Sequence, residues 1–303
     1  MPDLTIIIPT YNRGATLPRA LASALTQDSA DLEVIVVDDA STDQTREIVL
    51  RTNDERLRYI RLAAKSNGNV ARNIGIASAR SSLVAFLDSD DEFLPGRALR
   101  LVNFFRNNET IGSVLDSFQI VNGQDIEIAK QPSARMTGNA LVHLLVCHAL
   151  PLTCSAIAAR REALRAVGGF DPNLVRQQDR DLLLKLARSH VVALGTAEDV
   201  VKHQGSDSIS RLSTDYVHGL DELVARHPVF REPGYRDLLA YLAVRVVVKA
   251  LLKGEVPVAW REGQALLRSA SLPRSLFGAL ARYRKGRLIR RHAEAAAALI
   301  GGP

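Results

Sequence analysis

Phe86-Leu87-Asp88-Ser89-Asp90-Asp91 closes an apolar run over residues 83–87 and places three carboxylates within its last four positions. The run is short, apolar and bounded by polar residues, which predicts a buried strand. The same passage from buried strand into polar or acidic residues occurs twice upstream. Residues 33–37 lead into Asp38-Asp39, and residues 4–8 lead through Pro9 into Thr10-Tyr11-Asn12. A further apolar run spans 57–62. Between these runs Leu17, Leu21 and Leu25, and then Ile74 and Ala77, fall on one face of a helix. Strands alternating with helices predict an α/β fold, a mostly parallel sheet covered by helices that binds its ligand at the carboxyl ends of the strands.

From about residue 110 the pattern is mixed. Strands are expected near 113–121, 152–158 and 191–202, and helices near 137–148, 160–166 and 178–188, all within one domain spanning 1–215. Beyond 216 the strand signals stop. Residues 235–253 and 258–300 read as amphipathic helices broken around Gly254, Pro257 and Pro273, so 216–303 is expected to be a helical C-terminal extension. Tyr235, Tyr241, Trp260, Phe277 and Tyr283 are expected to pack in the core of that region.

With 303 residues and 47% hydrophobic content the chain can bury a large core. Its two cysteines, Cys147 and Cys154, form no disulfide framework or common zinc pattern and read as buried thiols. The N-terminus has no basic start followed by an apolar stretch, and no run approaches the roughly 20 apolar residues of a membrane span. These features point to the cytoplasm. The net charge of +6 is uneven: residues 231–303 hold 14 Lys/Arg against 5 Asp/Glu, or +9, which leaves −3 for residues 1–230.

Three carboxylates crowded at one strand end repel one another unless a cation neutralises them. Mg²⁺ or Mn²⁺ suits such oxygen ligands and keeps positions open for substrate phosphates. The structural alternative is that Asp90 or Asp91 caps a helix beginning near Pro95. In Val36-Val37-Asp38-Asp39-Ala40-Ser41-Thr42-Asp43 a carboxylate can meet a base or a ribose, with Ser41 or Thr42 expected as a helix N-cap. Asn67-Gly68-Asn69-Val70-Ala71-Arg72-Asn73-Ile74-Gly75 leads into a helix, and Arg72 can offset diphosphate charge or pair with the acidic cluster. Gly168-Gly169-Phe170-Asp171-Pro172 reads as a helix stop and turn. Behind it Asp179 and Asp181 stand at a helix start, where the choice lies between capping and general-base work. Neither the Gly-x-Gly-x-x-Gly order nor a P-loop is present, which argues against a nicotinamide dehydrogenase or a P-loop enzyme.

Taken in order, Pro9-Thr10-Tyr11-Asn12-Arg13, Val37-Asp38-Asp39-Ala40-Ser41-Thr42-Asp43, Ala71-Arg72-Asn73-x-Gly75, Leu87-Asp88-Ser89-Asp90-Asp91 and Gly168-Gly169-Phe170-Asp171 resemble the motifs of the family 2 glycosyltransferases. The resemblance runs from Ile6 to about Ser210. It implies the GT-A fold, a Rossmann-like nucleotide-diphospho-sugar transferase architecture, and an inverting, metal-dependent sugar transfer to a hydroxyl group. It implies that Pro9, Thr10, Tyr11, Arg13, Asp39, Arg72, Asp88 and Ser89 bind the nucleotide sugar, with a UDP-sugar the first expectation. It further implies that Asp90 and His203 serve Mn²⁺ or Mg²⁺ and that Asp179 is the catalytic base, with Asp181 as the fallback. One departure stands out: Gln178-Asp179 occupies the position of the family's Glu-Asp pair. Loss of the first carboxylate raises a second reading, a catalytically silent nucleotide-sugar-binding or scaffold protein.

The resemblance does not cover residues 216–303. Arg282, Arg284, Lys285, Arg287, Arg290 and Arg291, with Leu280, Leu288 and Ile289 among them, suit either peripheral contact with the anionic inner face of a membrane that carries lipid-linked acceptors or a contact in a homo-oligomer. The acceptor class implied is a saccharide or a lipid-linked saccharide, in polysaccharide or cell-envelope synthesis. No nucleic-acid-reading motif accompanies the basic charge, so no nucleic-acid partner is expected.

Overall fold

The computed structural model describes residues 1–27, 31–204, 216–231, 233–268, 283–285, 288 and 290. The first half alternates as β1 (Leu4–Thr10), α1 (Leu17–Leu25), β2 (Leu32–Asp38), α2 (Thr45–Arg51), β3 (Leu57–Arg61), α3 (Gly68–Ser78) and β4 (Leu83–Phe86). Then follow β5 (Glu92–Phe93), α4 (Arg97–Arg106), β6 (Ile111–Asp116), β7 (Phe118–Asn122), β8 (Asp125–Ala129), β9 (Ala134–Met136), α5 (Gly138–Val146), β10 (Ile157–Arg160), α6 (Arg161–Ala166), α7 (Gln178–Ser189), β11 (Val191–Gly195) and β12 (Val200–His203). The helical region holds α8 (Tyr216–Arg226), α9 (Pro233–Leu252) and α10 (Val256–Arg268).

Eight strands form the main sheet in the order β3-β2-β1-β4-β10-β6-β11-β9. Its first four are parallel, whereas β10 runs antiparallel to both neighbours. Every residue of β1 and β2 is buried, as expected where helices cover both faces of a parallel sheet. Register aligns Thr10 with Asp38 and Ile7 with Phe86, which brings the polar ends of β1, β2 and β4 to one sheet edge. Between β1 and β4 the strand order reverses, the point at which an open α/β sheet opens a crevice. A second sheet, β5-β12-β7-β8, stands beside that edge.

Glycine 75 lets α3 lie directly on β1: a Cβ there would sit 2.5 Å from Ile7 Cγ2. One continuous apolar cluster joins the sheet to the helical region, running from Leu4 and Phe86 through Leu182 to Val217, Leu220, Phe230 and Leu242. Arg97, wholly buried, clamps the two sheets together. It pairs with Asp116 at 2.9 Å and Asp199 at 2.5 Å, and Arg100 bonds the same two carboxylates.

The expected 113–121, 152–158 and 191–202 segments are each divided: β6 and β7, a 3₁₀ turn before β10, and β11 and β12. Ser41 and Thr42 do not cap α2, which begins at Thr45; Asp43 Oδ1 accepts from the Thr45 N–H instead. Asp90 and Asp91 do not cap α4 either, because that helix starts after Gly96, whose φ of 85° sets a sharp entry. Trp260 is 70% exposed rather than packed in a core, because α10 buries Ala259, Glu262 and Leu266 instead. Tyr235, Tyr241 and Tyr283 do pack against the core. Phe277, most of the expected helix over 258–300, the basic residues Arg282, Arg287 and Arg291, and the apolar Leu280 and Ile289 lie outside the described residues.

Candidate active site

The polar ends of β1, β2 and β4, the start of α3 and the start of α7 enclose a cleft of about 570 Å³. Pro9, Thr10, Tyr11, Arg13, Asp39, Arg72, Asp88, Ser89, Asp90 and Asp179 all line it. Residues separated by up to 170 positions in the chain therefore share one surface. Gln178 lines it beside Asp179.

At one end Lys65 Nζ lies 4.0 Å from the centre of the Tyr11 ring. Asp39, almost fully buried, accepts the Ser66 N–H at 2.7 Å, and its own N–H bonds Thr10 O. Asp38, its neighbour, is turned inward, where it accepts from the Tyr59 hydroxyl and the Ser41 N–H. Asn12 and Ala40 take left-handed backbone conformations here, at φ 50° and 63°; the Asn12 backbone N–H donates to Ser41 Oγ, and its side-chain Oδ1 accepts the Thr42 N–H. Strain of this kind in a non-glycine residue marks a loop whose shape is over-determined by its neighbours.

In the middle, Arg72 donates to Asp88 Oδ1 at 2.6 Å and lies over the Phe170 ring at 5.3 Å. Phe170 is itself fixed by Asn73, whose amide accepts from the Phe170 N–H at 2.9 Å and donates to Phe170 O at 2.7 Å. Gly169, at φ 64°, lies so close to Asn73 that a Cβ would fall 2.4 Å from its Oδ1. The α3 and Gly168–Asp171 motifs are thus the two halves of one clamp on Arg72. Burial opposes the charged form of Asp88, but the Arg72 and Lys202 cations outweigh it and hold the carboxyl below the usual range.

The three clustered carboxylates have distinct environments. Asp91 is sealed from solvent, accepting Ser155 Oγ–H at 2.6 Å and the His203 N–H at 3.3 Å, and burial pushes it up to about 7. Asp88 is committed to Arg72. The Asp90 carboxylate faces the cleft with no ion-pair partner among the described residues and only its own backbone N–H as a donor, and burial followed by the charge of Asp88 raises its pKa. One uncommitted carboxylate beside an open polar cleft fits a hard divalent ion that takes its remaining ligands from substrate phosphates and water. Among the described residues no group of three His, Cys, Asp or Glu side chains forms a complete protein-borne metal cage.

His203 is not brought to the cleft lining. Its Nε2 lies 3.3 Å from Glu92 Oε2. The segment after Gln204 lies outside the described residues. Asp181, two residues beyond Asp179 on α7, is not part of the cleft lining and pairs with His227 at 2.8 Å and Lys185 at 2.9 Å. Neither Asp179 nor Asp181 is the N-cap of α7; that position is Gln177, at φ 62°. Sequence reasoning passed over Lys65, Thr153, Cys154, Arg176, Arg180 and Lys202, all of which line the cleft. Lys202 carried a readable signal, since it follows the apolar pair Val200-Val201 at a strand end. Both cysteines are buried and in no disulfide, and burial pushes the Cys154 thiol up, so it stands in the cleft wall as a neutral group.

The family model for Glycosyl transferase family 2 matches residues 5–168, more than half of the chain and all the strand ends that build the cleft. The chain belongs to glycosyl transferase family 2. A glycosyltransferase of Nostoc without assigned activity is 34% identical over 177 residues, which cover 56% of this chain and 54% of that protein. The succinoglycan biosynthesis protein ExoO of Rhizobium meliloti is 42% identical over 102 residues, or 34% of this chain and 29% of its own length. A Campylobacter jejuni GalNAc(5)-diNAcBac-PP-undecaprenol beta-1,3-glucosyltransferase is 42% identical over 99 residues, 32% of each chain. The matched part thus spans about half or less of these relatives. The fold matches the crystal structure of Staphylococcus aureus TarS 1-349 in complex with UDP-GlcNAc, with a TM-score of 0.66 at 20% identity over 98% of this chain and 91% of that one. This establishes the GT-A architecture for the family 2 chain, helical C-terminal region included.

Proposed function

We propose that this family 2 chain is an inverting glycosyltransferase that moves a sugar from a nucleoside diphosphate to a hydroxyl acceptor in polysaccharide or glycoconjugate synthesis. The observation that carries the proposal is the convergence of Tyr11, Asp39, Arg72, Asp88, Asp90 and Asp179 on one cleft at the strand-order reversal. Tyr11, Thr10 and Asp39 at one end of the cleft suit a nucleobase, with uridine the first choice, as in the TarS complex with UDP-GlcNAc. Arg72 and Asp88, locked together, hold the ribose and sugar side of the donor. Asp90 is assigned to Mg²⁺ or Mn²⁺, which supplies Lewis-acid neutralisation of the leaving diphosphate when bound. His203 is assigned to the same ion, with its Nε2 standing 3.3 Å from Glu92 Oε2.

Asp179 takes the proton of the acceptor hydroxyl as the acceptor oxygen forms its bond to the anomeric carbon. The bond from that carbon to the diphosphate oxygen breaks on the opposite face, and the nucleoside diphosphate leaves with the electron pair. Residues 1–215 are assigned this chemistry. The basic region 216–303 is assigned to a peripheral contact with the cytoplasmic face of a membrane or to self-association. No helix among the described residues is long and apolar enough to cross a membrane. The names of the ExoO and Campylobacter relatives favour a saccharide or lipid-linked acceptor.

The test is nucleoside diphosphate release from UDP-, dTDP- and GDP-sugars, with and without Mn²⁺ or Mg²⁺, alongside calorimetric donor binding. Asp179→Asn is expected to keep donor binding and to lose about 10²- to 10⁴-fold in turnover. Asp90→Ala is expected to abolish the metal-dependent part of binding. Failure of every nucleotide sugar to bind contradicts the reading. Donor binding without turnover under any acceptor supports the silent donor-binding reading raised by Gln178.

A further inference from the structure

Lys202 sits in β12 of the second sheet, yet it lines the cleft whose carboxylates come from the main sheet. Asp88, Asp90 and Asp179 line the same cleft, and their charges together with that of Asp91 outweigh the burial that opposes the charge of the ammonium. The ammonium is in direct ion-pair contact with none of them: among the described residues no carboxylate oxygen lies within 4.0 Å of it. Its hydrogen bond to Thr153 Oγ1 is long, at 3.4 Å. Arg72 is engaged by Asp88, and Arg180 by Leu145 O and Gln177 Oε1, while Arg13 lines the cleft as a further cation whose charge also acts on Asp88 and Asp90. An ammonium offers three donors on a flexible stem, so Lys202 keeps donor capacity in the open cleft that Asp88, Asp90 and Asp179 also line. A diphosphate entering that space brings negative charge into a site that already holds several carboxylates, and it needs a cation to meet it.

We propose that Lys202 is a built-in cation of the donor site, binding the donor diphosphate and taking up part of the charge that the leaving nucleoside diphosphate acquires. The proposal rests on the donor-cleft reading above. It gives the acidic cluster a protein-borne counter-ion in the absence of metal and adds a second cation beside any ion held at Asp90. Transition-state charge met by a pre-placed donor in a partly dry cleft is stabilised without reorganisation at the moment of reaction.

The experiment is a titration of UDP and of uridine into the full chain in chelator, for the wild type, Lys202→Met and Lys202→Arg, with thermal unfolding of each as the folding control. Where the wild type binds neither, GDP with guanosine and dTDP with thymidine are the next pairs. The wild type is expected to bind the diphosphate more tightly than the nucleoside without metal. Lys202→Met is expected to lose at least about tenfold in diphosphate binding with nucleoside binding unchanged within twofold, and Lys202→Arg to recover most of the loss. Equal diphosphate binding by Lys202→Met and wild type overturns the proposal, as does metal-free diphosphate binding by the wild type no tighter than nucleoside binding. Failure of all three pairs, with and without Mg²⁺, strikes the donor-cleft reading itself and shows before any variant is compared.

Discussion

Asp90 and Asp91 are adjacent in the chain and opposite in circumstance, the first facing the cleft and the second sealed behind it on Ser155 and the His203 N–H. Three carboxylates in four residues signal a shared cation, but one sequence cannot tell which of them turns inward, because that depends on the distant hydroxyl of Ser155. The same limit applies to Asp38 and Asp39: Tyr59, 21 positions away, takes the first and leaves the second at the cleft. Ser155 Oγ serves two main-sheet groups at once, accepting the Asp88 N–H at 3.0 Å and donating to Asp91 at 2.6 Å. Ser155→Ala leaves both without that partner in a buried setting. It is expected to cost about 1–3 kcal/mol in chemical denaturation and to weaken donor binding through displaced Asp88. An unchanged denaturation midpoint would show that water replaces the hydroxyl there.

Among the elements, short motifs read as separate loops turn out to be contacts between helices and strands. Asn73 of α3 holds Phe170, and Gly75 of α3 presses on Ile7 of β1. Gly75→Ala forces a Cβ to within 2.5 Å of a core methyl, an overpacking expected to cost about 1–3 kcal/mol and to lower the thermal midpoint by several degrees. The helical region is tied to α7 through Asp181 with His227 and to the Gly168–Asp171 turn through Asp171 with Arg226. Burial opposes ionisation of both aspartates, and these partners outweigh it, lowering both pKa values. A lowered folded-state value contributes stability that is present above the unfolded value of about 3.9 and lost as pH falls through the folded value. The denaturation midpoint of the wild type is therefore expected to exceed that of Asp181→Asn from pH 5 to 8, with the gap closing below about pH 4. A gap that stays constant to pH 3 contradicts this linkage. Alternating apolar runs made β1 to β4 and most helices legible, whereas β5, β8 and β9 were not: a two-residue strand has no periodicity, and β8 is exposed over four of its five residues.

For the whole molecule, the fold class followed from alternation, but the strand order did not, because insertion of β10 between β4 and β6 is a tertiary choice without local pattern. The clamp between the two sheets was equally hidden. Arg97, Asp116 and Asp199 are unremarkable surface-type residues in sequence and form a buried ion network in space. Asp116→Ala leaves Arg97 with less compensation at full burial and is expected to destabilise the chain by about 3–5 kcal/mol, read from equilibrium unfolding. A small effect would mean that Asp199 alone satisfies the guanidinium. The site residues were legible where a strand end announced them. Lys65, Arg176 and Lys202 enter from other segments, and only the folded chain assembles them.

The central claim is that this cleft receives a nucleoside diphosphate sugar, and amide hydrogen exchange with and without saturating UDP-sugar and Mg²⁺ tests it most directly. The account predicts slowed exchange confined to residues 9–13, 38–41, 65–73, 88–91, 152–154, 176–180 and 201–203. Slowed exchange elsewhere with these segments unchanged would contradict it.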